Sequence, residues 1–384
     1  MMRTIRLAAT MSLVLALLLV AHSPAQPQVR ETRRTEIVAP GIEREEIRRG
    51  PAAPGEAGDR WVINVLRLDP ARVRLVLARA MDEAVGTETT SSLALRHGAA
   101  AAVNGGYFRT AGTYKGEPSG LLAFGASVWS EPSPRRTALA VTNAGDRVRA
   151  AVTAVDFAAS IEAADGASRP VNGVDRPREA GELVVFGPEF HRTTLTPPGG
   201  IEVEIADGRV AAVRDGAGSQ PIPASGYVVS ADGASAAWVR AHLREGATLR
   251  FRTELRADPP LPFAPEFLLG AGPRLAEGGR PASDPGLKYY PADFAATRHP
   301  RTAAGIAKDG RIVLVTVDGR QPALSVGMSI AELAALMLEL GCGEAINLDG
   351  GGSTTMVAGG KIVNSPSDAA GERPVSDALL VITR

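Results

Sequence analysis

Apolar and polar residues alternate with a period of two along most of this chain, a pattern that predicts many more strands than helices. Trp61-Val-Ile-Asn-Val-Leu-Arg-Leu and Val73-Arg-Leu-Val-Leu-Ala read as two strands joined by a turn at Asp69-Pro70. Arg136-Thr-Ala-Leu-Ala-Val-Thr-Asn-Ala-Gly-Asp-Arg-Val and Arg301-Thr-Ala-Ala-Gly-Ile-Ala-Lys-Asp-Gly-Arg-Ile-Val echo each other. Each opens a strand with Arg-Thr, passes a polar turn and returns, so two similar hairpins are expected. Continuous apolar runs at residues 311–317, 345–348 and 378–382 predict strands buried on both faces. The period becomes helical at Ser329-Ile-Ala-Glu-Leu-Ala-Ala-Leu-Met-Leu-Glu-Leu, where Ser329 and Glu332 form a capping box and Gly341 ends the helix. Shorter helices are expected at residues 91–97 and 235–244. The fold class is therefore α+β, with a β-rich mixed-sheet core and a few packed helices.

Texture divides the chain further. Residues 26–58 are rich in Arg, Glu, Pro and Gly and predict a polar arm, a tether or loosely docked. Residues 59–149 and 261–384 read as two parts of one core. Between them, residues 150–260 carry short alternating segments such as Gly200-Ile-Glu-Val-Glu-Ile-Ala, which predict an inserted all-β subdomain with one helix. Arg176-Pro-Arg178 and Glu189-Phe-His191 are polar groups of this insert that suit either substrate contact or an exposed loop.

Lys plus Arg equals Asp plus Glu at 42 each, which leaves no basic field for nucleic acid. At 45% hydrophobic the chain can build a substantial core. Arg3 and Arg6, then an apolar run over residues 11–21 and Ser23-Pro-Ala25, predict an export signal over residues 1–25, cleaved after Ala25, and hence a secreted or periplasmic protein. The run falls short of the ~20 residues that span a bilayer, so no stable membrane span is expected after cleavage. The single cysteine, Cys342, excludes an internal disulfide and reads as a small buried apolar residue.

Candidate chemistry collects at strand ends. In Asn347-Leu-Asp-Gly-Gly-Gly-Ser-Thr-Thr, the glycines Gly350, Gly351 and Gly352 let successive amides, with that of Ser353, converge on one anion. Asn104-Gly-Gly-Tyr-Phe has the form of a hairpin turn, yet it also resembles the Asn347 stretch, as if two strand ends faced each other across a cleft. Arg298-His-Pro-Arg-Thr-Ala brings His299 and Arg301 to a strand start, and Asp318-Gly-Arg320 ends another. Guanidiniums suit phosphate and carboxylates suit chemistry at a glycosidic carbon. Asp318 and Asp349 together also suit a divalent, calcium-like cation, although no zinc-type spacing of His and Cys is present.

Taken in order, Asn104-Gly-Gly-Tyr-Phe, Gly270-Ala-Gly-Pro, His299-Pro-Arg-Thr-Ala, Val317-Asp-Gly-Arg, Asn347-Leu-Asp-Gly-Gly-Gly-Ser-Thr-Thr and Arg373-Pro-Val-Ser-Asp-Ala resemble the phosphodiester glycosidase family, which includes bacterial exopolysaccharide-associated proteins. The resemblance runs over about residues 61–382 and is strongest from Phe267 onward. It implies hydrolysis of a sugar-1-phosphodiester of an envelope or exopolysaccharide glycan. Tyr107 departs from the family's frequent phenylalanine, and the insert is absent from its mammalian member. Our own assignment makes Asp349 and Asp318 the catalytic carboxylates. Arg301, Arg320, His299, Asn104, Asn347 and the amides of Gly350, Gly351, Gly352 and Ser353 would bind phosphate and sugar. A non-catalytic glycan-binding protein on the same scaffold is the competing class. The paired carboxylates and arginines argue against it, since aromatic platforms are scarce at 4%.

Overall fold

The computed structural model describes residues 30–51, 57–133 and 137–384, so the expected export signal lies outside the described residues. Three antiparallel sheets enclose one core. The largest has eight strands, ordered Arg30–Ala39, Ile42–Gly50, Trp61–Leu68, Ile312–Val317, Arg301–Ala307, Cys342–Asn347, Arg274–Glu277 and Arg280–Pro281. Its central strands are apolar on both faces for a reason visible in their alternation. Ile63, Val65, Val313 and Val315 pack under the helix Ile330–Glu339, whereas Leu66, Leu68, Ile312 and Leu314 face the other two sheets.

A five-stranded sheet, ordered Lys361–Ile362, Met356–Ala358, Ala101–Asn104, Asp377–Thr383 and Val73–Arg79, forms the second wall. The third contains Thr137–Thr142, Phe267–Gly270, Leu122–Phe124, Ser127–Ser130 and the base of Arg149–Ala163. The turn at Asp69-Pro70 therefore joins strands of different sheets. Both expected hairpins form: Thr137–Thr142 pairs with Arg149–Ala163, and Arg301–Ala307 with Ile312–Val317. The capping box of Ser329 and Glu332 is present in both directions. The two short helices run over Thr90–Arg96 and Gly233–His242, within two residues of their expected starts.

Across residues 150–260, Arg149–Ala163 and Leu249–Asp258 pair as a long ribbon leading to a separate five-stranded sheet. That sheet and the helix Gly233–His242 close over their own apolar cluster, including Ile161, Val185, Val203, Val229, Val239 and Leu249. Arg178 is buried against Ser230 and the Ala231 carbonyl, and Arg176 pairs with Glu131 and Glu182. Both arginines therefore serve the packing of this segment.

The polar arm needs correction. Residues 30–50 form a hairpin whose second strand, Ile42–Gly50, pairs along Trp61–Leu68 and extends the main sheet. Ile42 and Ile47 are fully buried, while cross-strand ion pairs such as Arg33–Glu45, Arg44–Glu36 and Arg49–Glu31 join the exposed outer strand to its more covered partner. These alternating opposite charges gave the segment its disordered look.

Candidate active site

Register brings the polar motifs to one end of the sheets. Arg301 pairs with Val317, Ala303 with Asn347 and Asn104 with Ala378, so the ends of five strands meet there. Asn104 ties them together. Its Nδ2 donates to the Asp349 carbonyl at 2.8 Å, and its Oδ1 accepts from Thr302 Oγ1 at 2.7 Å and from the Thr355 amide at 3.2 Å. The Asp349 amide donates back to the Gly105 carbonyl at 2.9 Å. The two strand ends do face each other, and they touch. Asn104 is wholly buried and committed to these bonds, so its assignment as a substrate ligand is corrected to a bracket between motifs. Asn347 is another internal group. Its Nδ2 donates to Tyr107 Oη, Gly272 O and Leu348 O, and its Oδ1 is buried without a partner.

The glycine loop follows. Gly351 has φ +62°, and a Cβ there would stand 3.0 Å from Arg320 Nη2. Gly352 lies under an ion pair that adds to the site, Arg373 Nε to Asp368 Oδ2 at 2.7 Å. A Cβ on Gly352 would collide with both side chains, at 2.1 Å from Arg373 Nη2 and 2.2 Å from Asp368 Oδ1. The loop is thus flanked by two guanidiniums. The expected nest of four amides is corrected. Gly350 N–H donates to Asp349 Oδ1, Gly351 N–H to Pro300 O and Ser353 N–H to Gly350 O. Only the Gly352 N–H is not drawn on by these bonds.

Arg320 is exposed, holds a left-handed φ of +60° and makes no ion pair among the described residues. Its Nη2 lies 3.3 Å from His299 Nδ1. A guanidinium only donates, so Nδ1 accepts and the imidazole proton sits on Nε2. Burial, then Arg320 and Arg301, hold the His299 pKa below its usual value, which keeps the ring neutral. Arg301 behaves differently. It is 2% exposed and spends Nε on Met328 O and Nη2 on the carbonyls of Phe294 and Thr297. Burial lowers its pKa, and its role as a direct phosphate fork is corrected to that of an internal clamp.

Burial pushes the Asp349 carboxyl up to about 6, opposed by Ser353, the Gly350 amide and Arg373 and reinforced by Asp377. The Ser353 hydroxyl is close enough to act on it without good hydrogen-bond geometry. Asp318 is also pushed up to about 6 by burial, but its surroundings are different: Ser365 N and Asn364 Nδ2 bond its Oδ1, and Arg48 and Glu46 are its charged neighbours. The two carboxylates are therefore held by separate sets of groups. Among the described residues no three His, Cys, Asp or Glu side chains are grouped to hold a metal ion. Asp377, like Asp318, is a fully buried carboxylate, whereas Asp349 is half-buried. Asp377 accepts from the Gly106 amide at 2.8 Å, and a Cβ on Gly105 would stand 1.9 Å from its Oδ1. The signal for Arg373 and Asp377 lay in their motif, Arg-Pro-Val-Ser-Asp, whose distance in sequence hid its proximity, and Asp368 stands five residues before it, outside the motif.

Residues 199–382 match the family described as phosphodiester glycosidase. The chain is 43% identical over 84 residues to the SPbeta prophage-derived uncharacterized protein YomE of Bacillus subtilis, covering 22% of this chain and 13% of that protein. It is 43% identical over 68 residues to the N-acetylglucosamine-1-phosphodiester alpha-N-acetylglucosaminidase of Bos taurus, covering 18% of this chain and 12% of that enzyme. The chain thus spans only a small part of the length of these curated relatives. A Burkholderia pseudomallei structure described as an exported protein superposes with a TM-score of 0.80 at 28% identity, covering 94% of this chain and 98% of that one. Among the described residues no helix is long and apolar enough to cross a membrane. The likeness to the phosphodiester glycosidase family that the motifs implied is thereby shown, over residues 199–382.

Proposed function

We propose that this protein hydrolyses sugar-1-phosphodiesters, freeing the sugar from its phosphate. The observation that carries the reading is a half-buried carboxylate, Asp349, beside a glycine loop flanked by Arg320 and Arg373. The phosphate is held by Arg320, by Arg373 and by the Gly352 N–H, with neutral His299 steadying Arg320. Asp349 acts at the anomeric carbon, either on it directly or through the attacking water. The C1–O bond breaks, its electron pair leaves with the phosphate oxygen, and water supplies the hydroxyl of the freed sugar. A phosphomonoester is already a good leaving group, so one carboxylate is enough. Asp318 holds the 364–365 turn that leads to Asp368, and acts on the reaction through that turn.

Under the same reading the protein is exported, with residues 1–25 as its cleaved signal, and acts on envelope or exopolysaccharide glycan. Residues 59–149 and 261–384 build the catalytic unit, and 150–260 are an insert that shapes access to it. The test is hydrolysis of a sugar-1-phosphodiester panel in H2 18O, with and without chelator. Label in the sugar and release of a phosphomonoester are expected. Label in the phosphate would mean a phosphodiesterase, and no turnover across the panel would leave the glycan-binding class.

A further inference from the structure

Two cavities, of about 300 Å³ and 620 Å³, meet at Asp156 beside the ribbon that leads to the insert. The smaller is lined by Thr137, Asp258, Arg274 and Asp284, and the larger by Glu131, Phe157, Asn172 and Tyr289. They connect to the candidate active site through aromatic rings. Tyr290, next to Tyr289 in the chain, stacks on Phe294 with centroids 4.6 Å apart and meets Tyr107 edge-on at 5.9 Å. Tyr107 Oη donates to Gly272 O at 2.7 Å and accepts from Asn347 Nδ2. A Cβ on Gly272 would stand 3.0 Å from Tyr290 Oη and 3.9 Å from Asp284 Oδ2. Gly272 thus joins the cavities to Asn347, the end of the Cys342–Asn347 strand two residues before Asp349.

The chemistry of this trough selects its ligand. Tyr289 is 43% exposed, with Lys288 Nζ 5.1 Å from its ring centroid, and offers an amphipathic ring for the C–H face of a sugar. Carboxylates and an amide along the walls suit hydroxyl donors. Glu131 is paired with Arg176 and Asp284 accepts from the Arg274 and Gly286 amides, whereas Asp156 and Asp258 make no ion pair among the described residues; Arg274 is nine-tenths buried and already bonded to Glu277 and Val152 O. A polyanion is repelled from such a wall, and a neutral chain is not.

We infer that this trough binds a neutral oligosaccharide, several sugar units joined to the phosphodiester that reaches Asp349. The inference rests on the reading above for what happens at Asp349. Binding is measured by calorimetry on the Asp349→Asn protein with cellohexaose, chitohexaose, their monosaccharides and a hyaluronan hexasaccharide. At least one neutral hexasaccharide should bind about tenfold or more tighter than its monosaccharide and than hyaluronan. Tyr289→Ala and Asp156→Asn should each remove most of that gain, while both variants in the Asp349 background of the native enzyme hydrolyse a methyl phosphodiester of the sugar at the native rate. Neutral hexasaccharides that bind no tighter than monosaccharides, hyaluronan that binds as tightly, or variants without effect would overturn it. Retained oligosaccharide binding in a protein with no phosphodiester hydrolysis would instead sink the hydrolase reading alone.

Discussion

Arg301 and Arg320 looked equivalent as guanidiniums at strand ends, and the fold separates them. Arg301 serves three main-chain carbonyls in the interior, whereas Arg320 is exposed beside Gly351. Arg320→Ala should therefore lower kcat/KM by about 10²-fold or more, with little change in Tm, because it removes a ligand to developing charge. Arg301→Ala should lower Tm first, since buried carbonyls left without donors cost about 1–3 kcal/mol each. Steady-state kinetics and thermal melts on both variants check this, and equal Tm losses would refute the division. The carboxyls make a second prediction. Asp349 must be ionised to act and sits at about 6, so kcat/KM should fall as pH drops through about 6. Asp349→Asn should remove turnover while keeping the fold. Asp318, also at about 6, is best read through stability. Its folded pKa lies above the 3.8 of the unfolded chain, so the folded state binds the extra proton between those values. Stability falls as pH rises from about 4 to 6, by at most ~3 kcal/mol for this group. Asp318→Asn should flatten the fall in Tm over that window, and an unchanged slope would assign it to other buried acids.

At the scale of elements, the parts legible in sequence were those with a local signature. The capping box of Ser329, the two Arg-Thr hairpins and the paired Asn-Gly-Gly strand ends all appear where they were read, because caps, turns and period-two runs are set by neighbours in the chain. What the chain concealed was which donors the loop spends on itself. Gly351 N–H goes to Pro300 O and Gly350 N–H to Asp349, and only the assembled loop shows this. The Asp368–Arg373 pair was hidden for the same reason, since its contact with Gly352 is made by a loop returning from the five-stranded sheet. Gly351→Ala and Gly352→Ala should both abolish activity, by different routes. At Gly351 the positive φ strains the loop and the Cβ crowds Arg320. At Gly352 the Cβ displaces the ion pair itself. Added free phosphate or sugar phosphate should raise the Tm of the native protein and fail to raise that of Gly352→Ala. An equal rise in both would place the anion elsewhere.

The whole molecule shows why the arm was misread. Its charges alternate in sign because the outer strand, Arg30–Ala39, is exposed along most of its length and trades ion pairs with a more covered partner, and composition cannot tell that from a tether. Ile42 and Ile47, an odd five residues apart on one strand, lie on opposite faces and join different core clusters, so each face of Ile42–Gly50 is partly covered. The Ile42–Gly50 strand also protects the ladder groups of Trp61–Leu68, a strand at the centre of the sheet that positions Asp318, Arg301 and Asn347. Removing residues 30–50 should therefore cost more than a loose arm would. Fully burying two isoleucines is worth about 1.5–3 kcal/mol each, before the unpaired strand is counted. For a chain of this size that corresponds to a loss in Tm on the order of 10 °C. Activity at low temperature should fall much less, since no group of the hairpin touches Asp349, Arg320 or Arg373 among the described bonds. A truncated protein that melts within about 2 °C of the full one would show that the hairpin adds nothing to the sheet.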